Sequence, residues 1–196
     1  GPPGARPPAP REPMPVPFDL PGGVLGRLSI GAFNALQLLR APSRAASVVP
    51  YDAFFFPLDR LAGWNRLYGR AGFLQYQCVV PDRRAARDLL ARVSACGTAA
   101  TLGVLKRFGA RRSPGLLSFP RPGVTLALDF PIRGGTIFRF LEGLDALVRD
   151  AGGAVYPAKD ARMSARSFQA FFPAWRELGR LADPAFSSSL WRRVTR

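Results

Sequence analysis

The chain has 196 residues, 47% of them hydrophobic, which is enough for one domain with a real core. Its 28 basic residues against 13 acidic ones give a net charge of +15, favouring anionic partners such as phosphorylated substrates, nucleic acid or an acidic membrane surface. It contains no histidine, which excludes Ser-His-Asp and Cys-His catalysis and argues against a zinc site.

Cys78 and Cys96 lie too far apart for a CxxC motif and read as small buried hydrophobes of a reducing compartment. No apolar run approaches the ~18 residues of a membrane span. The first residue is glycine, and no charged-then-apolar signal segment follows it. The expectation is therefore a processed chain or, the favoured of the two, part of something longer, cytoplasmic or peripheral to a membrane.

Residues 1–22 are rich in proline and form an expected extended linker. Gly23 to Arg40 is a candidate amphipathic helix, with Val24, Leu25, Leu28, Phe33, Leu36 and Leu39 as its apolar residues. Packing on the domain is the favoured placement for it, and a membrane surface the alternative. Phe73 to Val80 is β-branched and aromatic and stops at Pro81, so it predicts a strand. Asp82 opens a helix that places Ala86, Leu89, Leu90, Val93 and Cys96 on one face and closes at Gly97. Thr101 to Phe108 and Gly123 to Phe130 predict two further strands. A second helix runs from Thr136 to Asp150 and ends at Gly152-Gly153, followed by a short extended piece at Val155-Tyr156. The tail from Ser164 reads as helical to Leu181, where Asp183-Pro184 breaks it.

The order strand, helix, strand, strand, helix, strand predicts an α+β fold of the split βαβ kind. An antiparallel sheet then carries both helices on one face. The expected divisions are a linker over 1–22, a substrate-binding (cap) domain over 23–155 and a tail over 156–196.

Of the 28 basic residues, two are lysines, Lys106 and Lys159. Where arginine serves every surface need, two isolated lysines mark places that call for a compact amine, or are chance survivors. Alternation puts Leu102, Val104, Lys106 and Phe108 on one face of their strand, a largely apolar one. An unpaired ammonium there is costly, so Lys106 either meets an anionic or hydrogen-bonding partner or snorkels from the strand end. Gln75 and Gln77 share a face of the first strand, and two adjacent amides suit hydroxyl recognition or a merely solvated surface. Tyr156 and Lys159, next to Asp160, either anchor an electron-rich group or form a surface loop with a local ion pair.

Several stretches in order resemble the substrate domain of the decaprenylphosphoryl-β-D-ribose 2-oxidase family, FAD-dependent oxidoreductases of the vanillyl-alcohol-oxidase type. They are Phe55-Phe56-Pro57-Leu58-Asp59, Gly63-Trp64-Asn65-Arg66-Leu67-Tyr68-Gly69, Gly72-Phe73-Leu74-Gln75-Tyr76-Gln77, Val104-Leu105-Lys106-Arg107-Phe108, Leu128-Asp129-Phe130-Pro131 and Tyr156-Pro157-Ala158-Lys159-Asp160. The resemblance covers about residues 18 to 196.

It implies substrate contacts from Gln75, Gln77, Lys106 and Phe108, and places Tyr156 and Lys159 as catalytic and cofactor-binding groups at the flavin edge. The implied cofactor is FAD, bound mainly by a domain outside this chain that the tail would help complete. In isolation the tail's apolar face is then expected to lie exposed, and the chain to be inactive. Thr125 and Ala127 stand where the family has asparagine and cysteine.

The implied reaction is oxidation of a sugar carbinol by hydride transfer, on a polyprenyl-phosphate ribose or a related aldose or aldonolactone. Expected partners are that substrate, a separate FAD-binding polypeptide or an epimerising reductase, and a peripheral membrane contact. The alternative is a non-catalytic cationic module that grips polyprenyl phosphates or other phosphate-bearing ligands. Nucleic acid is not expected, because the arginines are scattered along the chain.

Overall fold

The computed structural model describes residues 12–22, 24–40, 51, 55–97, 100–111, 113–159 and 162–196. The first half of the proline-rich linker and Asp160 lie outside the described residues. Within the linker, β1 (Met14–Pro15) pairs in parallel with β2 (Leu61–Ala62). The Arg66 guanidinium donates to the Val16 and Pro17 carbonyls at 3.0 Å, and Leu20 N donates to Arg66 O at 2.9 Å. Extended backbone of this kind leaves its carbonyls free, and Arg66 takes up two of them.

The central sheet contains β3 (Phe73–Val80), β4 (Leu102–Phe108), β5 (Gly123–Pro131) and β6 (Ala154–Val155) in the order β4-β5-β3-β6. All three pairings are antiparallel. Two helices connect the strands, α2 (Arg83–Ala95) and α3 (Thr136–Asp150), so the chain has the α+β, split βαβ architecture its element order predicts.

Alternation along β3 and β5 sends Tyr76, Cys78, Val80, Leu126, Leu128 and Phe130 to the helix side, where all are buried. Ala86, Leu89 and Val93 of α2, and Ile137, Leu141, Leu144 and Val148 of α3, complete this core. Asp82 caps α2 by accepting from Ala85 N at 2.9 Å. Beyond α3, Gly152 adopts φ 71°, and Gly153 approaches β3 so closely that a Cβ would stand 2.3 Å from Val79 O.

The tail departs from the expected single helical run. Pro173 cannot donate to a helical ladder, and two short helices, α4 (Ala165–Phe171) and α5 (Trp175–Leu181), stand on either side of it. A further helix, α6 (Ser189–Thr195), starts at Ser188, whose hydroxyl accepts from Trp191 N at 3.0 Å. The expectation of an exposed apolar tail is overturned for most of it. Met163, Phe168, Phe171, Phe172 and Val194 are all buried in the common core. Arg121 donates to Phe171 O at 3.0 Å and lies over the Phe172 ring, which ties the tail to the β4–β5 connection. Leu181 and Phe186, by contrast, are exposed.

The helix α1 (Arg27–Arg40) forms where expected, but it buries none of its residues, so the favoured packing on the domain is not realised as a core contact. Among the described residues no helix is long and apolar enough to cross a membrane.

Candidate functional site

The strand register decides which side chains meet. Gln75 stands opposite Asp129, Gln77 opposite Ala127 and Val79 opposite Thr125. On the other side of β5, Leu102 stands opposite Asp129, Val104 opposite Ala127 and Lys106 opposite Thr125. Paired residues share a face, so Gln75, Gln77, Lys106 and Phe108 all lie on the face away from α2 and α3. The sequence places these residues on separate strands, and the register brings them together.

The short strand β6 adds the remaining pair. Ala154 stands opposite Val79, and Tyr156 N donates to Gln77 O at 2.8 Å, which sets Tyr156 beside the glutamine strand. One turn of 3-10 helix, Pro157–Lys159, then carries Lys159 over the sheet, where its ammonium donates to Gln75 Oε1.

Gln75 in turn donates from Nε2 to Asp129 Oδ1 at 2.9 Å. The Tyr68 hydroxyl bonds Thr101 Oγ1 at 2.7 Å and reaches toward Asp129 Oδ2 at 3.5 Å. A polar row thus runs Lys159, Gln75, Asp129, Tyr68 across one end of the open face. Asp129 is 1% exposed, and burial raises its carboxyl above the ordinary value, while the Gln75 bond, the Lys159 charge and the Tyr68 hydroxyl pull it back. Burial likewise raises the Tyr68 hydroxyl, against the Thr101 hydrogen bond.

The opposite end of the face is aromatic. Phe119 packs against Tyr156 at 4.8 Å between ring centroids and edge-on to Phe108 at 5.9 Å. Thr125 is buried there, and among the described residues its hydroxyl has no hydrogen-bond partner. Between the polar and aromatic ends lie Gln77 and Ala127, both half-buried, and Val104, 37% exposed.

One expectation needs correcting. Alternation makes the Lys106 face apolar and a bare ammonium there costly, but β4 is an edge strand and Lys106 is exposed. Its ammonium meets solvent at the rim of that face.

Asp129, Tyr68 and Phe119 were not anticipated as members of the site. Asp129 carried a usable signal, a lone carboxylate inside the apolar run Leu126 to Pro131. Tyr68 reaches the face from the end of a 3-10 helix, Trp64–Tyr68, and Phe119 from a loop, and spacing within the sequence gives no sign of either. Behind the sheet, a buried cluster forms just after the Lys159 turn in sequence. Arg162 donates to both oxygens of Asp145 at 2.8 Å, and the Tyr76 hydroxyl donates to Asp145 Oδ1 at 3.1 Å. Among the described residues no group of histidine, cysteine or carboxylate side chains is arranged to hold a metal.

No family model matches the chain. A search of curated proteins finds an uncharacterized protein in the mprA 5' region of Streptomyces coelicolor, 36% identical over 96% of this chain and 55% of the relative. It also finds decaprenylphosphoryl-beta-D-ribose oxidase of Mycolicibacterium smegmatis, 35% identical over 187 residues, 91% of this chain. That alignment covers 40% of the oxidase, so the chain spans about half the length or less of these two relatives. Over nearly all of its own length the chain is therefore similar to one part of a decaprenylphosphoryl-beta-D-ribose oxidase, as the motifs of its glutamine strand and lysine turn led us to expect.

Proposed function

We propose that the chain is the substrate-domain part of an FAD-dependent oxidoreductase that oxidises a sugar carbinol, a polyprenyl-phosphate ribose or a related aldose or aldonolactone. The observation that carries this reading is the convergence of both lysines and both glutamines on the sheet face away from α2 and α3, in a chain similar to an oxidase.

The residues fit one edge of a flavin: the exposed Lys159 ammonium and the half-buried Tyr156 ring stand beside each other on that face. When bound, FAD would accept the hydride leaving the carbinol carbon. Lys159 supplies a fixed positive charge where negative charge builds, an effect worth about 10²–10³ in rate for a comparable single group. Gln77 offers a donor and an acceptor to the sugar hydroxyls, and Lys106 at the rim offers a mobile cation to a phosphate. Phe108 and Phe119 wall the aromatic end. The tail is read as completing the FAD-binding domain through its exposed residues, Leu181 and Phe186.

A chimera tests this directly, with the chain replacing the matching part of the Mycolicibacterium smegmatis oxidase. The expected chimera retains FAD and oxidises a polyprenyl-phosphate ribose, and its Lys159→Met variant keeps FAD but loses turnover. The isolated chain is expected to release FAD on desalting. A folded chimera that holds FAD yet oxidises no sugar would overturn the reading. The net charge of +15 favours one other reading, a non-catalytic module for phosphate-bearing ligands. Its mark would be ligand binding by the chain that collapses with salt but ignores Lys106→Ala and Lys159→Ala.

A further inference from the structure

Lys159 is exposed, and a lysine ammonium sits at the end of a long, flexible stem. Left to itself such a cation samples many positions, so a charge fixed at one point needs an anchor built around it. Among the described residues Lys159 forms no ion pair with a carboxylate, and its ammonium donates to the Gln75 carbonyl oxygen.

That oxygen is itself held in place. An amide turned over about its last bond would set its NH₂ against the ammonium, donor against donor. Asp129 prevents the turn, because its carboxylate takes the Gln75 Nε2 proton at 2.9 Å. Asp129 is in turn fixed from several sides. It is buried on β5, which has β3 on one side and β4 on the other. Thr101 donates to the Asp129 backbone carbonyl twice, from its amide at 2.9 Å and from its hydroxyl at 3.2 Å. The Tyr68 hydroxyl closes the Oδ2 side, and the Tyr68 ring stacks on Phe73 at 4.3 Å between centroids. Order thus passes outward from the sheet interior, through one amide, to the exposed cation.

The interposed amide also matters for charge. A carboxylate in direct contact would pair with the ammonium and offset it. A neutral amide holds the same group by its dipole and leaves the positive charge available to a reacting group. The two glutamines of β3 differ accordingly: both ends of the Gln75 amide are engaged, whereas Gln77 makes no side-chain hydrogen bond among the described residues.

We infer that Asp129, acting through Gln75, is a positioning residue for Lys159, and that Gln77 rather than Gln75 is the glutamine left to meet a ligand. The inference rests on the proposed reading of Lys159 as the cation beside a flavin, and it names what holds that cation in place.

The chain has two lysines, so labelling with ¹³C-lysine gives two Cε signals, which Lys106→Arg assigns. In the parent chain the Lys159 Cε order parameter is expected to exceed that of Lys106, which stands exposed on an edge strand. Gln75→Met and Asp129→Leu should lower it to the Lys106 level. Asp129→Asn still offers Nε2 an oxygen and should keep it high. Gln75 is half-buried, so Gln75→Met answers the question even where Asp129→Leu fails to fold. These order parameters need neither FAD nor turnover, so they decide the anchoring even where the oxidase reading fails its own test.

In the chimera, Gln75→Met and Asp129→Leu should lower kcat by about ten- to a hundredfold with KM little changed, the mark of a misplaced transition-state charge. Asp129→Asn should restore most of that loss, and Gln77→Met should instead raise KM. A Lys159 order parameter no higher than that of Lys106 overturns the inference, as does one unchanged by Gln75→Met. So does a Gln75→Met chimera that raises KM as Gln77→Met does while keeping kcat, because Gln75 would then bind the substrate directly.

Discussion

Gln75 donates its amide to Asp129 at 2.9 Å and accepts the Lys159 ammonium on its carbonyl oxygen. The two contacts agree on one amide orientation: the carboxylate can only take the NH₂ end, which leaves the oxygen for the cation. Asp129 and Lys159, 30 residues apart in sequence by their numbers, are joined through a single side chain of β3.

This link makes Asp129 sensitive to Lys159. Burial raises the Asp129 carboxyl, and the Lys159 charge opposes the rise, so Lys159→Met should raise it further. Carboxyl-detected NMR of the Asp129 side chain measures that shift, and an unchanged titration would break the coupling. The same displacement has a consequence for stability. With its folded value above the ordinary one, the folded chain binds the Asp129 proton more tightly than the unfolded chain does. This contribution is complete below the ordinary value of 3.8 and is lost as pH rises through the folded value. Asn does not titrate, so urea unfolding of Asp129→Asn should gain on the parent chain as pH rises across that window. Parallel profiles would contradict the raised carboxyl.

Thr125 presents the opposite case, a buried hydroxyl with no partner among the described residues, opposite Val79 and Lys106 in the sheet. An unsatisfied hydroxyl costs about 1–3 kcal/mol, so Thr125→Val should leave the fold as stable or more stable by an amount in that range. Chemical denaturation gives the answer. A clear loss of stability would mean that the hydroxyl has a partner after all.

Cys78 and Cys96 form no disulfide, and they differ in their surroundings. Burial, foremost among its causes, pushes the Cys78 thiol up to about 12, so almost no thiolate exists there at mildly alkaline pH. Iodoacetamide should leave Cys78 unmodified in the folded chain and label it once denaturant is added. Mass spectrometry of the digested protein distinguishes the two cysteines, and rapid labelling of Cys78 without denaturant would show that the sheet core opens.

The parts of the fold that were legible rest on local physics. Alternation over Phe73 to Val80, the Asp82 cap and the apolar row of Thr136 to Asp150 need no knowledge of distant residues, and each element lies within a residue or two of its expected place. What could not be read depends on pairing between distant segments. The register that sets Gln75 against Asp129 is a property of two strands more than fifty residues apart, so the lone carboxylate went unassigned. Lys106 was given an apolar setting because alternation identifies a face without saying whether β4 is an edge strand. The tail was misjudged for a similar reason. The resemblance implies an exposed apolar tail, whereas α3, β6 and α6 cover its Phe168, Phe171 and Phe172 within this chain.

The Asp145–Arg162 pair tests how the tail is fastened. Asp145 is fully buried on α3, accepts both guanidinium nitrogens at 2.8 Å and also accepts from the Tyr76 hydroxyl. Arg162 stands three residues beyond Lys159, so its grip on Asp145 anchors the chain at that point. Arg162→Met leaves a buried carboxylate without its cation and should cost about 3–5 kcal/mol, measured by urea unfolding. Asp145→Leu combined with Arg162→Met removes both charges together and should recover much of that loss, because two apolar side chains can fill the same space without desolvating an ion. If the double variant is instead as unstable as the sum of the single ones, the buried charge is not the source of the cost. The tail would then be held mainly by Phe168, Phe171 and Phe172 in the core, and Lys159 should keep its place over Gln75 even without the Arg162 anchor.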